Sequence, residues 1–271
     1  KDVSATWEFS AAKKPVTAVV TVADKPYDGN TSVAPADITA TVNASDLVTG
    51  DSILITGLSA TFDNASAGTN KKVTINSSSA SVSGTNSGNY DITYPATTTA
   101  SILAQAATVD ADPQAKNLTY DASQSQELVT PGTVTGGTMV YSLDGTNFTA
   151  AIPKAKDAGP YTVYFKAQGD GNHTDSLADS VTVTIARQAV TAPQIELTPP
   201  AAPYDGQVKR PGVTVYDSAN NVIPASEYKV AYVTDNGENW KDQGTYTVKI
   251  ENVTGGNYIV DTATENFTIS T

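Results

Sequence analysis

The sequence predicts an all-β fold, built as tandem antiparallel β-sandwich modules in an elongated array. Three observations lead there. Strand-like alternation recurs along the chain, as in Val16-Thr17-Ala18-Val19-Val20-Thr21-Val22 and Val181-Thr182-Val183-Thr184-Ile185, and no stretch places apolar residues at i, i+3, i+4 and i+7. The composition is rich in Thr and Val and includes 13 Tyr, which suits pleated, half-buried surfaces. A fixed order of landmarks appears three times, with turn signals every 8–12 residues or so in between.

The landmarks run as follows. Pro26-Tyr27-Asp28-Gly29 recurs as Thr119-Tyr120-Asp121-Ala122 and as Pro203-Tyr204-Asp205-Gly206. A Gly-led strand comes next: Ala67-Gly68-Thr69-Asn70-Lys71-Lys72-Val73, then Ala158-Gly159-Pro160-Tyr161-Thr162-Val163, then Gln243-Gly244-Thr245-Tyr246-Thr247-Val248. A turn follows each: Ser87-Gly88-Asn89-Tyr90, Asp170-Gly171-Asn172-His173 and Gly255-Gly256-Asn257-Tyr258. A closing strand ends each copy, at Thr97 to Ile102, Val181 to Ile185 and Asn266 to Ile269. Ile102 and Ile185 then lead into similar joints, too short and too strand-like to be flexible linkers.

These repeats divide the chain into a β module at 15–104, a second at 105–187 and a third at 188–271. Residues 1–14, which contain Trp7 and Phe9, read as the remnant of a preceding copy or its linker, and both ends read as cuts in a longer array. Within a copy, Tyr161 and Tyr246 stand two residues after Gly at a strand start and suit a tyrosine corner. Asn70 cannot supply that hydroxyl in the first copy. Val248, Ile250, Phe267 and Ile269 share the inward parity of their strands, which turns Lys249 and Asn266 outward and away from any buried Lys–Asn cross-link.

Composition narrows the function. With no Cys there is neither a disulfide framework nor a thiolate, and His173, the single His, cannot build a histidine-rich metal site. A net charge of −12, from 16 Lys+Arg against 28 Asp+Glu, argues against nucleic acid. No apolar run approaches the ~20 residues of a membrane-spanning helix, so no membrane insertion is expected. The distinctive residues have counterparts in other copies, whereas a catalytic site is normally unique. The expectation is therefore no enzyme, no catalytic residue, no cofactor and no metal.

The repeated motifs resemble the repeat domains of large bacterial cell-surface proteins, of the YDG and MBG type, with related bacterial Ig-like modules. The Tyr-Asp-Gly turns carry the resemblance, as do Thr138-Met139-Val140-Tyr141-Ser142-Leu143-Asp144-Gly145-Thr146-Asn147-Phe148-Thr149 in the second copy and Tyr228-Lys229-Val230-Ala231-Tyr232 in the third. It implies Ig-like sandwiches in an extracellular, monomeric stalk or adhesin region, at the cell surface or secreted. Two alternatives stay open: a module binding carbohydrate or host protein, and an ancillary region of a secreted polysaccharide-degrading enzyme.

The candidate ligand-binding residues are Trp240, Asp235 and Glu238, an aromatic ring among polar groups that could stack on a sugar. Against this, Trp240 aligns with Phe148, and an aromatic shared by two copies suits hairpin packing. Asp170, Asn172 and Asp175 alternate loosely, without the spacing of a calcium loop. Tyr27-Asp28-Gly29 reads as a tyrosine packed against its own sandwich beside an Asp-Gly turn, with Ala122 altering that turn in the second copy.

Overall fold

A computed structural model describes residues 11–233 and 240–271. Among these residues there is no α-helix, only strands and short 3-10 turns. The chain divides into two compact units: Lys1–Val109 with Val134–Thr138 and Ala167–Leu177, and Asp110–Thr133 with Met139–Lys166 and Ala178–Thr271. The border thus runs through the middle repeat.

The same four-stranded sheet is built three times. In the first unit the order is Lys25–Pro26, Thr97–Leu103, Gly68–Asn76, Ser59–Phe62. In the middle repeat the order is Leu118–Thr119, Asp179–Ala186, Gly159–Gly169, Gly137–Ser142, and in the third it is Ala201–Pro203, Ala263–Ser270, Gly244–Asn252, Tyr228–Val233. The Gly-led strand and the closing strand always pair antiparallel, with Lys72 opposite Thr99, Tyr161 opposite Val183 and Tyr246 opposite Phe267.

The sheets are not antiparallel throughout. The short strand before each Tyr-Asp motif pairs parallel with the closing strand: Lys25 lies opposite Ile102, Leu118 opposite Ile185 and Ala202 opposite Ile269. The strand after each Gly-Asn turn also pairs parallel, Tyr90 with Lys14, His173 with Gln105 and Tyr258 with Gln188.

Period-2 alternation sets the core. Tyr246, Val248 and Ile250 are buried on one face of Gly244–Asn252, against Phe267 and Ile269 of the closing strand. In the first unit Val73, Ile75, Ala100, Ile102, Phe62 and Val20 play that part. Each Val, Ile or Phe side chain among them contributes roughly 1.5–3 kcal/mol by leaving water. Lys249 faces outward, with its Nζ 2.6 Å from Glu251 Oε1, and Asn266 is exposed beside Thr247, as their parity requires.

Both tyrosine corners form. The Tyr161 and Tyr246 hydroxyls donate to the carbonyls of Asp157 and Asp242, each at 2.8 Å. In the first repeat the corresponding position falls on Asn70, at φ 50°, where the pairing with the closing strand slips between Gly68 and Lys71. Asparagine tolerates that left-handed backbone, so a bulge stands where the other repeats carry the corner.

Candidate functional site: the turn-to-turn joints

The three Tyr-Asp motifs share a local build. The Tyr27, Tyr120 and Tyr204 N–H groups each donate to the carbonyl of the closing strand's last residue, Leu103, Ala186 and Ser270, all at 2.8 Å. The aspartate then accepts from the N–H two residues on: Asp28 from Asn30, Asp121 from Ser123 and Asp205 from Gln207. This Asx turn holds the loop without help from the third residue. Gly29 and Gly206 adopt φ 74° and 75°, while Ala122 keeps an ordinary negative φ. The alanine therefore alters the backbone after the aspartate but leaves the aspartate's hydrogen bond in place.

Each aspartate is held below its usual carboxylate range. For Asp28 the main cause is Lys25, whose buried ammonium lies 2.8 Å away and also donates to the Asn30 and Ser32 carbonyls. For Asp121 it is the Ser123 hydroxyl, and for Asp205 the Lys209 ammonium. A depressed folded-state pKa supplies stability that is fully present above the unfolded value of about 3.9 and is lost as pH falls below it and through the lower folded-state pKa. The melting temperature should hold steady from about pH 8 to pH 5 and drop below about pH 4, with a shallower acid slope in Asp121→Asn. Thermal melts across this range check it.

The motifs do more than turn the chain. Tyr27 meets the His173 ring edge-on, centroids 5.3 Å apart, and Tyr120 meets Tyr258 in the same way at 5.2 Å. His173 and Tyr258 each follow the asparagine of the next repeat's Gly-Asn turn. That asparagine makes a second link: Asn172 Oδ1 accepts from the Ala67 N–H at 2.9 Å, and Asn257 Oδ1 from the Ala158 N–H at 2.7 Å. Its carbonyl is held within its own repeat, accepting from the Gln105 N–H and from the Gln188 N–H respectively. Tyr27 packs against the core of its own repeat, as the sequence suggests, and Tyr120 packs on the core formed by Val190, Val215, Ile250 and Val260 of the third repeat.

The two joints differ in their reinforcement. Arg187 donates to the carbonyls of Gly256, Val253 and Tyr258 and to Asn252 Oδ1. Ala104 holds its place in the earlier joint. There, His173 Nδ1 lies 2.8 Å from Asp170 Oδ1, and the ring sits over Gly136, whose hydrogen leaves room that a Cβ would fill at 2.7 Å. An open cleft of about 530 Å³ flanks the later joint, lined by Tyr120, Asp121, Ser123, Asp217 and Tyr258 among others. Its acidic groups are already engaged, Asp121 by Ser123 and Gln124 and Asp217 by Ala219 and Asn221.

Trp240 is fully buried. Tyr246 and Phe267 stack on it at 4.8 and 6.0 Å, and Tyr232 meets it edge-on at 5.1 Å. A ring so enclosed offers no face to a sugar. Asp235 and Glu238 lie outside the described residues. Asp170, Asn172 and Asp175 are spent on local donors and on the joint: Asp170 accepts from Asn172 N–H, Asp175 from Gly169 N–H and Asn172 from Ala67 N–H. Among the described residues no group of three or more His, Asp or Glu side chains could hold a metal ion, and no helix is long and apolar enough to cross a membrane.

Residues 12–100 match the family model of the YDG domain. No curated protein matches the chain. Among solved structures it is similar to immunoglobulin domains 1–5 of Sidekick-1, with 10% identity and a TM-score of 0.30, covering 93% of this chain and 58% of that one. It is also similar to EC22–24 of mouse cadherin-23, at 12% identity and a TM-score of 0.26 over 97% of both chains. Domains 1–6 of the surface layer protein SbsC match at 14% identity and a TM-score of 0.22, over 93% of this chain and 40% of that one. The chain therefore spans less than two thirds of the Sidekick-1 and SbsC structures.

Proposed function

We propose that the chain is a non-catalytic spacer of an extracellular bacterial surface protein, three β modules in series at 15–104, 105–187 and 188–271. One observation carries this reading: the same pair of motifs is engaged twice, Tyr27 with Asn172-His173 and Tyr120 with Asn257-Tyr258. A motif used to fasten one repeat to the next is used up by that contact, which leaves it no catalytic or ligand-binding task. Each joint combines an asparagine-to-backbone hydrogen bond with an aromatic edge contact, and so should resist bending more than a Gly/Ser linker does.

A spacer should yield to load module by module. Pulled from its two ends in a force spectrometer, the chain should unfold in three separate events. Each should release on the order of 300 Å of contour, at ~3.5 Å per residue. A single event releasing the whole chain would contradict three modules in series.

A further inference from the structure

The later joint brings two phenol rings together. Tyr120, from the second repeat, meets Tyr258, from the third, with centroids 5.2 Å apart and ring planes inclined at 76°. Among the described residues this is the one tyrosine–tyrosine ring contact. The earlier joint pairs Tyr27 with His173, and Tyr232 and Tyr246 both pack on Trp240. Tyr120 and Tyr258 belong to the same compact unit. Both line the open cleft of about 530 Å³, so a small dissolved molecule reaches the pair although Tyr258 is otherwise buried. No disulfide can close this joint, because the chain has no Cys.

The surroundings suit the loss of an electron and a proton together. Burial, and then the carboxylates of Asp157, Glu227 and Asp121, hold the Tyr120 hydroxyl above the usual phenol range. Burial, Tyr120, Glu227 and Asp217 do the same for Tyr258. Both rings are therefore neutral phenols near pH 7. A phenol that gives up an electron becomes a strong acid, and a carboxylate close by takes the proton. Glu227 acts on both rings and is itself buried, its Oε2 accepting from the Tyr258 N–H at 3.1 Å.

We propose that Tyr120 and Tyr258 form a site of oxidative cross-linking, where a peroxide-driven one-electron oxidant joins the rings carbon to carbon and locks the second repeat to the third. Each phenol loses one electron and its hydroxyl proton. The two phenoxyl radicals couple at the ring carbons beside the oxygens, and the hydrogen on each coupled carbon then moves to the neighbouring oxygen, which restores both phenols. The two electrons and two protons reduce one hydrogen peroxide to two waters, and the chain becomes lighter by two hydrogens. Tyr120 is half-buried at the cleft and has room to turn, a motion on the order of nanoseconds for such side chains. The site stands on the ring contact and does not depend on the spacer reading.

Treating the dilute full chain with a haem peroxidase and limiting hydrogen peroxide tests it. The monomer fraction should lose two hydrogens in intact mass and gain dityrosine fluorescence. It should also yield a tryptic pair joining residues 117–154 to residues 250–271, with fragmentation placing the bond on Tyr120 and Tyr258. Tyr120→Phe and Tyr258→Phe retain both rings and should each lose this product in full, and thermal melts confirm that each variant is folded. The cross-linked monomer should melt higher than the untreated chain, because the bond ties residues far apart in the unfolded chain. Tyr204, 48% exposed, reports that the oxidant is active by coupling between chains in the dimer fraction. Dimers without the monomeric product, or a monomeric product that survives both phenylalanine variants, would overturn the proposal. Three unfolding events under force in a chain that never cross-links would reject this site while leaving the spacer reading intact.

Discussion

Trp240→Ala is expected to destabilise the third repeat by about 3–5 kcal/mol, the range for truncating a large buried aromatic. The ring is fully buried between Tyr246, Phe267 and Tyr232, and those three lose their common partner when it goes. Leu197 and Val248 line the same cluster and would face the cavity. The backbone at residue 240 sits at φ 53°, so alanine inherits the left-handed conformation without the packing that offsets it. Trp240→Phe should recover much of the loss. Hydrogen exchange resolves the effect by segment: Gly244–Asn252 and Ala263–Ser270 should lose protection while Gly68–Asn76 and Thr97–Leu103 keep theirs. If the ring served a ligand instead, its removal would leave these strands as protected as before.

Arg187→Ala should cost about 2–3 kcal/mol at the later joint, the magnitude of hydrogen bonds to a charged donor. One guanidinium gathers the carbonyls of Gly256, Val253 and Tyr258 and the side chain of Asn252, all around the Gly-Asn turn. Lysine cannot replace it, because a single ammonium does not span that fan of acceptors. The variant should therefore lose exchange protection at Gln188–Val190 and Tyr258–Val260, the strands flanking the turn, and Arg187→Lys should recover little of it. The core strands Asp179–Ala186 and Gly244–Asn252 should be unaffected. Equal loss across the second and third repeats would mean that Arg187 supports the sandwiches rather than their connection.

Much of this architecture is legible in the sequence because it is local. The Gly-led strands, closing strands and Asp-centred turns are set by residues close together in the chain, and alternation assigns Val248, Ile250, Phe267 and Ile269 to the core. The tyrosine corners need only a Tyr four residues after its acceptor. The alignment of Trp240 with Phe148 marks the position as one of packing. The joints are not legible in this way. Asn172 and Ala67 are 105 residues apart, and Asn257 and Ala158 are 99 apart. Each motif looks complete as a turn by itself, and nothing in the spacing says that one repeat's Tyr-Asp motif faces the next repeat's Gly-Asn turn. The parallel pairs escape too, since strands as short as Lys25–Pro26 and Leu118–Thr119 carry no readable periodicity. Gly136 is visible only as a loop residue until His173 is seen seated over it.

We propose that the repeated motifs fasten modules in series. Small-angle scattering from the dilute chain tests it most directly. A single globule of 271 residues would have a radius of gyration near ~19 Å. Modules in series should give a value well above that, with a distance distribution that tails far beyond its peak. A radius near the globular figure would contradict the account, because the modules would then be folded against one another rather than held in line.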